Sequence, residues 1–421
     1  MADARKIAAL GLLRVEQDNA YSNILLSNLF DEYYLSNEDK ALSSAIFYGV
    51  LDRQITLDYY INKYSNIPVK KLDVYTRQVL RSAFYQIYFM DRIPISAAVN
   101  EAVKLIKSSE ENRNSGFVNA VLRNASKEKT ELPSGRDLYS LSVRYSCPQW
   151  ILTSLVKDYG LDETEQILKT FLIPAKVFLR TNTLKTSSKE LSDLLKEDGI
   201  IAEIIGENTL ELACGLDFSK NKLFNEGLFY VQDPSSQKCA EALLAKKGER
   251  ILDVCSAPGG KSFTVAQTMS DNGEIISCDL YKNRVSLIKN GAERLGIKSI
   301  KAITNDATVY NSQLGEFDAV LCDVPCSGFG VIRRKPEIKY KPITDFSELQ
   351  DIQLNILKTS SNYVKKGGRL LYSTCTLRKA ENESIVEQFL SSNNDFYCEY
   401  MKTFIPAVNN DGFFHALLRR R

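Results

Sequence analysis

Hydrophobic positions fall into two regimes along this chain. Up to about residue 128 they recur at helical spacing. Residues 41–64 carry Ile46, Val50, Leu51 and Ile55, residues 74–90 carry Leu80, Phe84, Ile87 and Tyr88, and residues 95–107 carry Val99, Ala102, Val103 and Ile106. The last set stands at i, i+3, i+4, i+7, the signature of an amphipathic helix. A polar break over 110–115 precedes a further helical restart at 116–123. This region therefore reads as an all-α bundle.

A second regime begins near residue 250. Short apolar runs occur at 251–255, 273–279, 300–303, 317–323 and 367–375, each followed by a glycine turn, a carboxylate or a cysteine. Such runs separated by helical patterns predict buried parallel strands of an open α/β sheet. The first leads into Ala257, Pro258, Gly259 and Gly260, then a helical pattern from Lys261 to Met269. Strand, glycine turn and helix is where such a sheet receives a nucleotide-like ligand, because glycine lets the backbone approach and the helix start offers unpaired N–H groups. Asp279, Asp306 and Asp323 fall at predicted C-terminal strand ends, and Cys326 and Cys375 fall there too. In a doubly wound sheet those ends share one crevice.

Between the regimes, 127–136 (KEKTELPSGR) reads as a charged linker. Residues 137–225 mix short helices and strands. Pro148 opens a helix, 177–184 reads as a strand, 188–198 as an amphipathic helix, and short strands follow near Ala202 and Leu210. A small α+β module is expected there. The divisions are thus 1–128, 137–225 and 226–421.

Composition excludes more than it assigns. The 421 residues carry 54 Lys and Arg against 52 Asp and Glu, a net charge of +2, so bulk charge does not announce RNA binding. The nine cysteines form no CxxC pair, which fits reduced thiols in a cytoplasmic protein better than a disulfide framework. The N-terminus leads into a polar-interrupted helix rather than a secretory apolar stretch, and no apolar run is long enough to span a bilayer. A single histidine, His415, leaves no multi-histidine metal site, and no metal is expected. Chemistry must run on cysteines, carboxylates, lysines and a cofactor. One local patch stands out after Cys326: Arg333, Arg334, Lys335, Lys339 and Lys341 oppose only Glu337, with Phe329 and Tyr340 interleaved. It is the strongest candidate for phosphate contact.

The motifs CSAPGGK (255–261), DVPCSG (323–328) and YSTC (372–375), in that order, resemble the RNA cytosine-5 methyltransferases that use S-adenosylmethionine. The full-length pattern looks like a member that modifies 16S (small-subunit) rRNA. The departures are mild: Ser256 and Val324 stand where Ala is common, and Thr376 where Ser is common. VNEAVKLIK followed by GFVNAVLRN resembles the NusB family of RNA-binding bundles, and CPQW with LRTNTL resembles the segment preceding the catalytic domain. The resemblance implies a Rossmann-like methyltransferase domain behind a NusB-like bundle and a small α+β module. It implies Cys375 as nucleophile and Cys326 in proton removal and product release, although DNA cytosine-5 methyltransferases use a similar Pro-Cys cysteine as nucleophile. It also implies that Asp323 and the Pro325 carbonyl read the cytosine edge. The cofactor would be held by Cys255, Ser256, Ala257, Pro258, Gly259, Gly260 and Lys261, with Asp279, Arg284, Asp306 and Asp323. Arg180, Arg333, Arg334 and Lys335 are the RNA-contact candidates, and a monomer acting on 16S rRNA is expected. A tRNA enzyme of the same fold and a non-catalytic RNA-binding assembly factor remain alternatives.

Overall fold

The computed structural model describes residues 3–18, 22–340 and 346–421; Met1, Ala2 and Lys341, the end of the basic run, lie outside them. The chain divides into two compact units, Met1–Pro174 with Ile332–Ile343, and Ala175–Val331 with Thr344–Arg421.

The first unit is helical: α1 (Ala4–Asp18), α2 (Ser22–Tyr33), α3 (Asn37–Tyr64), α4 (Val74–Phe89), α5 (Ile95–Lys107), α6 (Ser115–Ala125), α7 (Leu138–Tyr145) and α8 (Gln149–Phe171). Its core gathers the predicted apolar stripes, including Ile46, Val50, Leu80, Phe84, Val99, Ala102 and Ile106. Helix α3 starts four residues before the apolar pattern does, because the Ser36 hydroxyl accepts the Asp39 N–H and caps a polar first turn. It kinks at Arg53. Just beyond the kink, the Ile55 N–H donates to the Ser146 hydroxyl at 3.0 Å and the Thr56 hydroxyl donates to the Val143 carbonyl at 2.6 Å. These bonds, with the buried Leu141 and Val143, tie α7 to the bundle, so the helices expected to open the α+β module belong to this unit.

The basic run also folds differently from expectation. Arg333 is 6 % exposed and Lys339 1 %. The Lys339 ammonium donates to the Asp52 backbone carbonyl at 2.6 Å, and burial pushes the Asp52 carboxyl up to about 6. Val331, Ile332 and Pro336 alternate with the charges and draw the segment inward. Of the three arginine and lysine candidates here only Lys335 is fully exposed and Arg334 is half-buried, so the reading of Arg333 as a phosphate contact is corrected.

The second unit contains two sheets. Strands β1 (Val177–Thr181), β2 (Ala202–Gly206), β3 (Thr209–Leu212) and β4 (Phe229–Val231) form an antiparallel sheet in the order β2-β3-β1-β4, covered by α9 (Ser188–Glu197). Strand β4 comes from the stretch assigned by sequence to the start of the catalytic region; it pairs with β1, Leu179 facing Val231. Helices α10 (Lys222–Asn225) and α11 (Pro234–Glu241) flank it.

The large sheet follows from β5 (Arg250–Asp253), α12 (Gly260–Thr268), β6 (Glu274–Asp279), α13 (Lys282–Leu295), β7 (Ile300–Thr304), β8 (Phe317–Asp323), α14 (Phe346–Ser361), β9 (Val364–Thr374), α15 (Glu383–Ser392), β10 (Phe396–Phe404) and β11 (Phe413–Arg420). Its order is β10-β11-β9-β8-β5-β6-β7. The five predicted strands form the parallel part, and β11 runs antiparallel between β9 and β10. From β5 the chain builds outward through β6 and β7, then returns to β8 on the other side. The strand order reverses there, and such a reversal opens a crevice at the carboxyl ends. Among the described residues no helix is long and apolar enough to cross a membrane.

Candidate active site

The turn after β5 is held by a buried polar knot. The Ser262 hydroxyl donates to Asp253 at 2.7 Å and lies 2.9 Å from the Ser256 hydroxyl and 2.8 Å from that of Ser277. Asp253 itself is 1 % exposed, and burial raises its carboxyl to about 7. The Ser256 N–H donates to the Cys278 carbonyl at 2.7 Å, stitching the turn to β6. Gly259 has φ +112°, and a Cβ there would overlap the Phe263 ring; only glycine makes this entry to α12. Cys255 to Lys261 thus wraps a helix start, where the first N–H groups have no partner within the helix.

The strand-end carboxylates take distinct settings. Asp279 is 3 % exposed, accepts the Tyr281 N–H at 3.2 Å and pairs with Arg284 at 3.1 Å. Arg284 also donates to the Ala257 carbonyl at 3.0 Å, so it braces the turn against the acid. Asp306 accepts the Thr308 N–H at 2.9 Å and hydroxyl at 2.6 Å. Beside it opens a shallow cavity of about 430 Å³ walled in part by Val309 and Tyr310. Asp323 pairs with the Lys261 ammonium at 2.7 Å and accepts the Ser373 hydroxyl at 2.8 Å. Burial alone would lower the Lys261 ammonium, but Asp323 and the neighbouring thiols carry it above its ordinary value. Lys261 also sits over the Phe413 ring, 5.1 Å from its centre.

The two candidate cysteines meet. Cys326 and Cys375 place their sulfurs 3.2 Å apart, and the Cys375 N–H donates to the Cys326 sulfur at 3.3 Å. Neighbouring strands β8 and β9, paired Asp323 to Ser373, bring them together. Both are part-exposed, whereas Cys147, Cys239, Cys278 and Cys322 are fully buried. The bond to Cys375 and burial together hold the Cys326 thiol well above its ordinary value. Gly330 bonds across this corner: its N–H donates to the Cys375 carbonyl at 3.0 Å and its carbonyl accepts the Gly412 N–H at 2.8 Å.

Sequence reading did not find the group that aims the Cys326 loop. Glu381 is fully buried and accepts the Ser327 N–H, the Gln353 amide and the Arg378 guanidinium, each at 2.9 Å. The same Gln353 amide donates to the Pro325 carbonyl at 2.9 Å. One lone pair of that carbonyl is therefore taken, and the other remains for a ligand. In sequence Glu381 sits in a polar stretch that looks solvated. Arg180 lies elsewhere. It is 3 % exposed and bonded to Gln237 at 3.0 Å and Glu241 at 2.7 Å. A guanidinium so enclosed braces β1 against α11, which corrects its reading as a phosphate contact.

Comparison with known proteins converges on one family. Residues 240–419 match the model for 16S rRNA methyltransferase RsmB/F, residues 2–127 the NusB family, and residues 147–215 an RsmF/B-like ferredoxin-like domain. A probable ribosomal RNA small subunit methyltransferase B of Bacillus subtilis (strain 168) is 39% identical, over 93% of this chain and 89% of the relative. The ribosomal RNA small subunit methyltransferase B of Proteus mirabilis (strain HI4320) is 30% identical, over 99% of this chain and 98% of its own. Among solved structures, that of PH0851 superposes with a TM-score of 0.83 at 27% identity, covering 100% of this chain and 99% of the other. A methyltransferase homolog protein from Pyrococcus horikoshii gives 0.60 at 25% identity, over 68% of this chain and 99% of the other. With the three segments matched in order and full-length relatives above 30% identity, the chain belongs to the ribosomal RNA small subunit methyltransferase B family.

Proposed function

We propose that this protein methylates carbon 5 of a cytosine in 16S rRNA, with S-adenosylmethionine as methyl donor and a covalent adduct to Cys375. The observation that carries the reading is the pair of part-exposed sulfurs 3.2 Å apart at the mouth of the crevice, beside Asp323 and the glycine turn. The donor set fits the cofactor. Asp279 accepts from a ribose hydroxyl, Asp306 from the adenine amine, and the turn from Cys255 to Lys261 receives the methionine end, its N–H groups facing the carboxylate. When bound, S-adenosylmethionine supplies an electrophilic methyl group on a sulfonium.

Carbon 5 of cytosine is a poor nucleophile until a thiolate adds at carbon 6 and breaks the aromatic ring. The bond to Cys375 and burial hold the Cys326 thiol well above its ordinary value, so Cys326 is assigned as the protonated partner and Cys375 as the attacking thiolate. As its sulfur adds to carbon 6, negative charge develops at ring nitrogen 3. The Lys261–Asp323 pair stands ready as the hydrogen-bond and proton reserve for that charge. Asp323 and the free lone pair of the Pro325 carbonyl accept from the exocyclic amine. A uracil would present an acceptor there, at a cost of about 1–3 kcal/mol. Adduct formation takes the Cys375 sulfur out of its bond with Cys326, the largest cause of the raised Cys326 value, and Cys326 can pass its proton to water. Once carbon 5 carries the methyl group, the Cys326 thiolate takes the carbon 5 proton, the electrons of that bond restore the 5,6 double bond, and the carbon 6–sulfur bond breaks to release the Cys375 thiolate. A base stacked in a helix cannot reach this crevice, so the target is unstacked or flipped out.

The test uses two variants and unmodified small-subunit rRNA. Cys326→Ala accumulates a covalent protein–RNA adduct on a denaturing gel, and Cys375→Ala forms none and is inactive. The reverse pattern overturns the assignment. Nucleoside analysis after transfer from labelled donor yields 5-methylcytosine in rRNA; label in tRNA alone would retain the chemistry and remove the substrate.

A further inference from the structure

The first unit contains a cavity of about 560 Å³, remote in sequence from the reacting cysteines, lined by α3, the following loop, α7 and the start of α8. Its size falls in the range of roughly 300–1,000 Å³ typical of ligand sites. Its wall combines three kinds of group. Tyr59 and Tyr139 supply rings, Lys63 and Lys70 supply charge, and Asn62 and Gln149 supply amides. Tyr139 is 53% exposed, so its ring is accessible from the cavity. Lys63, Lys70, Asn62 and Gln149 are all exposed.

The charge in this cavity is not balanced by its one acid. Asp58 is already held by both arms of Arg81, at 2.7 and 2.8 Å, which leaves the two lysine ammoniums in surplus. Lys63 lies over the Tyr59 ring, 5.3 Å from its centre, and the Tyr59 hydroxyl is anchored on the Glu131 carbonyl at 3.2 Å. That ring is fixed, while Tyr139 presents a free face. Asn62 uses its oxygen to accept the Val69 N–H at 2.8 Å, so its amide N–H₂ points its remaining capacity outward.

Stacking face, amide edge and paired cations together match one ligand class. A nucleobase stacks on an aromatic ring, its edge meets amides, and its flanking phosphates meet lysines. From this we infer that the cavity holds an unstacked nucleotide of single-stranded RNA, away from the base that is methylated. The inference rests on the reading that this chain acts on RNA. It gives the helical unit a defined role: anchoring a substrate strand by one base and its phosphates, with affinity set by stacking and salt-dependent charge.

The test measures binding of the full chain to a labelled single-stranded oligouridylate by fluorescence anisotropy across a salt series, beside methyl transfer to small-subunit rRNA. Uridine is chosen because the reacting pocket rejects it. Tyr139→Ala is expected to weaken binding about tenfold, and Tyr139→Phe, which keeps the ring, to bind like the parent. Lys63→Gln and Lys70→Gln each lower the slope of log affinity against log salt by about 0.7. The methylation rate at saturating rRNA stays unchanged in all four. Unaltered oligouridylate binding in Tyr139→Ala and both lysine variants overturns the proposal, as does equal competition by duplex RNA. Methyl transfer that persists alongside such unaltered binding sinks the cavity alone. Tyr139-dependent binding by a protein that methylates no RNA sinks the enzymatic reading and leaves the cavity standing.

Discussion

Replacing Lys261 by Met isolates the ion pair on which the proposed chemistry leans. Lys261 is 8% exposed and its ammonium lies 2.7 Å from Asp323, whose side chain keeps 29% of its exposure. Removing one partner of a fully buried pair costs about 3–5 kcal/mol, most of it the charge left behind. Here Asp323 keeps the Ser373 hydroxyl at 2.8 Å and some access to water, so roughly half that cost remains, about 2 kcal/mol. The loss of the cation over Phe413 adds about 0.5–1 kcal/mol. Lys261→Met should therefore unfold about 2–3 kcal/mol more easily in urea. Asp323→Asn relieves the stranded charge, so the double variant should be less destabilised than the sum by about 1–2 kcal/mol. In activity, Lys261→Met should lose at least a hundredfold in kcat/KM. Additive single effects in the cycle, with kcat/KM of Lys261→Met within about tenfold of the parent, would refute this account.

Further expectations rest on single features. Gln353→Leu removes donors to a buried carboxylate and a carbonyl, both at 2.9 Å; a loss of about 2–4 kcal/mol in denaturant unfolding is expected, with weaker discrimination between cytosine and uracil oligonucleotides. Asp253 has a folded pKa near 7 against an ordinary value of 3.8. Its contribution is full below pH 3.8 and is lost as pH rises towards 7, so Asp253→Asn should flatten that fall in a pH series of melting midpoints. A Cβ at Gly330 would overlap the Gly412 carbonyl and lie 2.8 Å from the Cys375 carbonyl oxygen. Gly330→Ala should therefore abolish adduct formation by displacing the Cys375 corner, while S-adenosylmethionine binding, measured by calorimetry, stays within about threefold.

The parallel strands could be read from sequence because each is an apolar run stopped by a turn residue, and burial on both faces leaves that pattern unbroken. Asp279 and Asp323 could be placed for the same reason: a strand's last residue is marked by the end of its apolar run, and Asp306 follows two residues after β7 ends. Strand β10 escaped because its face stays wet, with Tyr397, Tyr400 and Met401 well exposed, so its apolar and polar residues do not sort cleanly. Arg180 and Arg333 misled because a charged side chain looks the same in sequence whether it meets phosphate or, as Arg180 does, a glutamate folded against it. Glu381 and Gln353 depend on partners 28 to 54 residues away, a separation that no local pattern encodes.

The excursion of Ile332–Ile343 into the helical unit has a consequence for synthesis. Chain growth delivers α1 to α8 first, and an N-terminal bundle would ordinarily finish folding while the rest is still being made. This one cannot. The Lys339 ammonium, whose partner is the Asp52 carbonyl, emerges 287 residues later, after most of the parallel sheet has been translated. Until then the bend of α3 lacks the segment that covers it. The helical unit is thus completed from the middle of the catalytic sequence, which couples maturation of the front of the protein to successful translation of its active-site strands. A truncated product that ends before that point would carry an unfinished bundle, open to proteolysis, rather than a stable fragment able to compete for RNA.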